Sequence, residues 1–168
     1  MNFIAVSIDD SARFEQALLK WAAQFSYCAN LRSNSNGNYS YPDTNTFDFL
    51  LGCDAKAVFH PKEGDSFDQL KAFREVHKDW LLGHFSYDLK NELEDLHSAK
   101  PDYIGFTDIS FFVPNHLFRK DKDGWWYRGD ENVQALIKTI LSYTPSKRAQ
   151  EPIELTPLIT HNTYISEV

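Results

Sequence analysis

A hairpin is written into residues 109–128. The aromatic and β-branched run 109–120, broken at Pro114, is followed by Asp121-Lys122-Asp123-Gly124 and then by Trp125, Trp126 and Tyr127. Asp-Gly supplies the positive backbone dihedral that a tight turn needs, so the two runs are expected to pair antiparallel. A sheet built around that hairpin then has to be covered, and the rest of the chain offers the covering elements. Phe14, Ala17, Leu18, Trp21, Ala22 and Phe25 recur at helical spacing behind the N-cap candidates Asp9, Asp10 and Ser11. Val133, Leu136, Ile137, Ile140 and Leu141 form a second apolar stripe.

Between these lie further strands. Residues 3–8 alternate as a first strand, 26–31 read as a second, and 47–52 and 57–59 follow as two more. The segment 33–45, dense in Asn, Ser, Gly, Tyr and Pro, reads as irregular. Ser66-Phe67-Asp68-Gln69 has the form of a capping box ahead of a helical stripe through Leu70, Phe73 and Val76. Residues 80–87 read as a strand running into Asp88, which is placed to cap a short helix carrying Leu89, Leu93 and Leu96. The pattern predicts an α+β fold of mostly antiparallel, sandwich-like sheets with helices packed outside. The expected organisation is a domain over 1–143, a proline-bearing linker over 144–158, and over 159–168 the first turns of a further domain, which makes the chain an expected piece of a longer polypeptide.

Composition narrows the function. A net charge of -7 with no basic stripe argues against a nucleic-acid partner. No apolar run approaches the ~20 residues of a membrane span, and residues 1–8 lack the basic leader of an export signal, so a cytoplasmic protein is expected. Cys28 and Cys53 form no CxxC and read as two buried thiols. The six histidines include no HxxxH or HExxH pair, and GxSxG, GxGxxG and GxxxxGK[ST] are all missing. No metal site is expected. Glu92, Glu94 and Asp95 could recruit acid–base chemistry, but a solvated acidic face beside Lys90 accounts for them more simply.

Gly83-His84-Phe85-Ser86-Tyr87-Asp88-Leu89, then Glu92, Leu93 and Leu96, then Pro101-Asp102, resembles the GxxxYDL…E.L…PD stretch of the chorismate-utilising enzymes, the family of aminodeoxychorismate synthase component I and anthranilate synthase component I. Leu31-Arg32-Ser33, Phe47-Asp48, the stretch 111–118 around Pro114, and Tyr164 with Val168 follow the family's order and extend the resemblance over most of the chain. Asn30-Leu31-Arg32-Ser33, where anthranilate synthases typically show Leu-Leu-Glu-Ser, and the Tyr-Asp-Leu form lean toward the aminodeoxychorismate branch.

The resemblance implies an amino-terminal scaffold or regulatory domain without catalytic residues of its own. It further implies a whole enzyme that aminates chorismate to 4-amino-4-deoxychorismate for para-aminobenzoate and folate synthesis. That enzyme would use ammonia from a glutamine amidotransferase subunit and Mg2+ in a catalytic domain outside this segment, against which the present domain would pack. It implies as well half of a tryptophan pocket, with Leu31, Ser33, Asn45, Thr46 and Phe47 at the matching positions and Tyr41 or Tyr39 closing over it. Thr46 stands where the family usually has Arg. Leu31 and Phe47 could instead be core residues of neighbouring strands. An anthranilate synthase domain, or a free-standing ligand-sensing or interaction module, are the alternatives.

Overall fold

In the computed structural model, residues 2–33, 47–62, 64–94 and 105–145 are described, with the single positions 163, 165 and 166. The elements run β1 (Ile4–Val6), α1 (Ser11–Ala22), β2 (Cys28–Arg32), β3 (Phe49–Phe59), α2 (Ser66–His77), β4 (Leu82–Phe85), a 3-10 helix (Tyr87–Glu92), β5 (Ile109–Asp121), β6 (Gly124–Arg128) and α3 (Val133–Ser142). All strand pairs are antiparallel. They join one six-stranded sheet in the order β1-β6-β5-β3-β2, with β4 pairing beside β5. The expected α+β architecture of antiparallel strands with helices outside is the one observed.

The hairpin forms as its turn residues dictate. Asp121 pairs with Gly124 around a two-residue loop, and Gly124 holds a positive φ of 125° that a side chain would strain. Asp10 caps α1, its carboxylate accepting from the Arg13 N–H at 3.0 Å, and Asn132 caps α3 in the same way through Ala135. The two apolar stripes then meet over one face of the sheet. Phe14, Leu18 and Trp21 of α1 and Leu136, Ile137 and Ile140 of α3 enclose Phe49, Leu51, Cys53, Phe118, Trp125 and Tyr127.

Several local expectations change. The stretches 47–52 and 57–59 belong to one strand, β3, whose irregularity between Ala55 and Ala57 absorbs the break. β5 runs unbroken through Pro114, because Pro114 falls beside that irregularity and between the segments of β5 that pair with β4 and with β6; a proline is tolerated where no regular ladder bond is required. Ser66 does not cap α2. Asp65 occupies the cap position in a left-handed conformation, and Ser66, buried at the first helical position, donates to Glu92. Gln69 accepts from the Lys62 N–H at 2.8 Å and donates to the Lys62 and Gly64 carbonyls, bracing the preceding loop instead of completing a capping box. Cys28 is exposed, and only Cys53 is buried.

At the far end of the sheet α2 and the 3-10 helix pack their own cluster, in which Phe59, Leu89 and Ile109 are buried beside Leu70, Phe73 and Phe111. Leu82 of β4 leans across β3: a Cβ on Gly52 would lie 2.1 Å from Leu82 Cδ1, so a side chain there would require the Leu82 side chain to move. Leu50, Leu82, Phe112 and Leu117 fill the resulting angle on the face away from α1 and α3. Among the described residues, no helix is long and apolar enough to cross a membrane.

Candidate ligand-binding site

Of the residues matched to a ligand pocket, Leu31, Ser33 and Phe47 are described, whereas Tyr39, Tyr41, Asn45 and Thr46 lie outside the described residues. The three are brought to one end of the β2–β3 pair. Leu31 stands directly opposite Leu50. Ser33 donates its backbone N–H to the Asp48 carbonyl at 3.2 Å, next to Phe47. Leu31 is 47% exposed, which a core residue of a central strand would not be. Phe47 is half-buried against the Leu50–Leu82–Phe112–Leu117 cluster, and so serves the core at least in part.

The register extends this corner into a row across the sheet. Leu31 faces Leu50, Leu50 faces Arg119, Arg119 faces Trp126 and Trp126 faces Ala5. Directly opposed residues share a face, so these five side chains form one line on the side of the sheet that α1 and α3 leave free. The Arg119 guanidinium lies over the rings of Phe3 at 4.8 Å and Trp126 at 5.4 Å, and pairs with Asp121 at 3.1 Å. Asp121 also accepts from the Trp126 indole N–H at 3.0 Å. Among the described residues, the buried Arg119 Nε has no hydrogen-bond partner, a costly arrangement for a charged group that already stacks on two rings. Trp80 meets Phe3 edge-on at 5.8 Å, and Arg128 reaches Asp79 beside it. The result is an aromatic floor with a cation set into it, chemistry suited to a flat apolar ring carrying an anionic group. Sequence reasoning missed Arg119, Trp126, Phe3 and Trp80 here. The doublet Trp125-Trp126 carried a partial signal, since adjacent strand residues point to opposite faces.

The Gly83–Leu89 stretch occupies β4 and the 3-10 helix, and three of its seven residues, Gly83, Ser86 and Leu89, have a clear structural task. A Cβ on Gly83 would stand 2.0 Å from the Ser110 carbonyl oxygen and 2.7 Å from Phe111 Cα, so glycine is what lets β4 close on β5. Ser86 donates its hydroxyl to the Asp108 carboxylate and its N–H to the Asp108 carbonyl, each at 2.7 Å, pinning the strand end. Leu89 fills the α2 cluster. Glu92 reaches back to accept from the Ser66 N–H at 3.1 Å and from its hydroxyl, so it caps α2 from another element. Asp88 does not act as a helix cap: Ser86 precedes the 3-10 helix and Asp88 pairs with Lys90 at 3.1 Å in solvent. Tyr87 is 83% exposed, its ring covered on one side by the Lys90 ammonium at 4.6 Å.

A second polar group sits under α1. His116 is buried on β5, its Nδ1 3.0 Å from the Tyr127 hydroxyl and its Nε2 3.7 Å from a Glu131 carboxylate oxygen. Burial pushes the His116 pKa down, against the opposing pull of Glu131 and Asp54, and burial pushes Tyr127 up to about 12. A cavity of about 170 Å³ lined by Asp54, Asn115, His116, Asp130 and Glu131 opens beside them. Asn115 ties down the Asp54 carboxylate at 2.8 Å and Lys56 pairs with Asp130 at 2.9 Å. A neutral imidazole already partnered to a phenol is what a satisfied core histidine looks like. Among the described residues, no group of three or more His, Cys, Asp and Glu is placed to hold a metal ion.

Compared with known proteins, the chain matches no family model and no curated protein. Fold and geometry together define it as an α+β domain whose antiparallel sheet is helix-covered on one face and lined on the other by an aromatic floor with Arg119 set into it.

Proposed function

We propose that this chain is the non-catalytic amino-terminal domain of an aminodeoxychorismate synthase component I, a cytoplasmic enzyme that aminates chorismate to 4-amino-4-deoxychorismate on the route to para-aminobenzoate and folate. One observation carries the proposal. Four residues of the stretch through which the sequence resembles that family have a specific structural task, Gly83 in strand approach, Ser86 in the Asp108 tie, Leu89 in the core and Glu92 in capping α2, while Tyr87 and Asp88 stand exposed. Residues held by such specific contacts make a chance likeness less credible than a shared local structure. In this reading the domain packs against its own catalytic domain, which binds chorismate and Mg2+ and takes ammonia from a glutamine amidotransferase subunit. No residue described here is assigned to the metal or to the reaction.

The same reading assigns the β2–β3 corner to half of a tryptophan pocket. Exposed Leu31, Ser33, half-buried Phe47 and the neighbouring Arg119–Trp126 floor support an indole stacked on apolar side chains with its carboxylate near a guanidinium. The polypeptide that carries this domain, supplied with chorismate, ammonia and Mg2+, should yield aminodeoxychorismate by chromatography. Anthranilate would place it in the sister branch, and no consumption of chorismate would remove it from the family. Calorimetry with tryptophan on the same polypeptide should give saturable heat that Leu31→Ala weakens by about tenfold, in line with roughly 1–2 kcal/mol for a truncated apolar contact. No heat in the wild type would remove the pocket while leaving the enzyme assignment standing.

A further inference from the structure

Cys28 and Cys53 are distant in sequence but adjacent in the sheet. In the register of β2 on β3 they are direct partners, and β2 is an edge strand. The kind of pair they form follows from the flanking backbone bonds. Asp54 N–H donates to the Tyr27 carbonyl at 3.1 Å, and Ser33 N–H donates to the Asp48 carbonyl at 3.2 Å. Those two positions are therefore hydrogen-bonded pairs, and because the two kinds alternate along an antiparallel ladder, Cys28 and Cys53 fall at a non-hydrogen-bonded one. There the Cα atoms stand about 4.5 Å apart and the side chains are at their closest, inside the roughly 4.4–6.8 Å that a disulfide spans. Both side chains leave the same face. The chain contains no other cysteine to compete.

We propose that Cys28 and Cys53 are a reversible redox pair, and that their oxidation by a small-molecule disulfide staples edge strand β2 to β3. Access sets the order of events, since Cys28 is exposed and Cys53 is buried. Cys28 gives up its proton to solvent and its thiolate attacks one sulfur of the small disulfide; a mixed disulfide forms on Cys28 and one small thiolate leaves. The Cys53 thiolate, once its proton is lost, then attacks the Cys28 sulfur and expels the second small thiolate. Two protein thiols are oxidised to one disulfide, and the reagent is reduced to two thiols that take up the two protons. Burial pushes both cysteine pKa values up, with the neighbouring Cys28 and Asp54 adding to the effect at Cys53, so the exchange is slow at neutral pH and speeds up in mild alkali. The bridge lies on the strand that also presents Leu31 and Ser33. It would hold that strand in register whether or not the corner binds tryptophan.

The test is equilibration of the 168-residue chain with reduced and oxidised glutathione, each at about 1 mM, followed by acid quench, alkylation and peptide mass spectrometry. At least half of the molecules should carry a Cys28–Cys53 link, the population that an effective thiol concentration of about 3 mM or more would produce once the Cys28 adduct is counted. Cys53→Ala should stop at the glutathione adduct of Cys28, and Cys28→Ser should remain unmodified with an unchanged circular dichroism spectrum. The proposal is overturned if the wild type keeps a Cys28 adduct with under about a tenth of the molecules bridged, or if the bridged fraction is no higher folded than in concentrated urea. The wild-type result stands on its own if a Cys53 variant fails to fold.

Discussion

Replacing Glu92 with Ala tests whether a residue of the family-like stretch acts through structure. Its carboxylate accepts two hydrogen bonds from Ser66, one from the N–H at 3.1 Å and one from the hydroxyl, and Ser66 is only 2% exposed. Removing the acceptor takes the protein partner from both the N–H and the hydroxyl of Ser66, which is buried beneath the exposed Glu92. An unsatisfied buried group costs about 1–3 kcal/mol, and loss of a helix N-cap costs about 1 kcal/mol. Because both describe the same contacts they do not add, and Glu92→Ala should destabilise the domain by about 2 kcal/mol. For a chain of this size that lowers the melting temperature by about 4–8 °C. Glu92→Gln retains one acceptor oxygen and should lose about half as much. Urea unfolding followed by tryptophan fluorescence reads both, with the slope against urea unchanged. A Glu92→Ala midpoint within about 0.5 kcal/mol of wild type would show that α2 does not depend on this cap and would remove the structural account of the stretch.

Gly83→Ala should destabilise by about 2 kcal/mol, because its Cβ meets the Ser110 carbonyl oxygen and Phe111 Cα, backbone atoms that cannot rotate away; hydrogen exchange at residues 82–85 should speed up first, and unchanged protection there would contradict the close approach. His116 makes stability depend on pH. Its folded pKa lies below the unfolded value of about 6.5, so the unfolded chain takes up the proton first and stability declines as pH falls below about 6.5, by no more than about 1.4 kcal/mol per pH unit for one proton. His116→Gln should flatten that decline in urea titrations between pH 7.5 and 5.5, and an identical slope in the variant would assign the effect elsewhere.

Elements whose signals are local were legible in the sequence. The Asp123-Gly124 turn, the cap Asp10, and the buried stripes of α1 and α3 each depend on residues within a few positions of one another. Asp10 was one of three cap candidates, and geometry chose it. Ser66-Phe67-Asp68-Gln69 had the right local form for a capping box, but Glu92, distant in sequence, took the Ser66 donors and left Gln69 to the Lys62 loop. Tertiary competition of that kind leaves no trace in a four-residue window. Pro114 misled for a similar reason, since its tolerance depends on where β4 and β6 stop pairing along β5. The Leu31–Leu50–Arg119–Trp126 row and the Cys28–Cys53 pair both require the register of several strands, which no single stretch encodes. The resemblance only grouped Leu31, Ser33 and Phe47 by name; that they share one corner, and that Arg119 lies in the same row, comes from the assembled sheet.

The proposed role as the docking half of a larger enzyme is tested most directly by complementation in trans. On that proposal, a catalytic segment encoded with this chain and made separately should consume chorismate slowly with ammonia and Mg2+, and adding the 168-residue chain should raise aminodeoxychorismate formation at least tenfold with saturation. The chain by itself should leave chorismate untouched. A catalytic segment that is fully active alone and indifferent to the added domain would contradict the account.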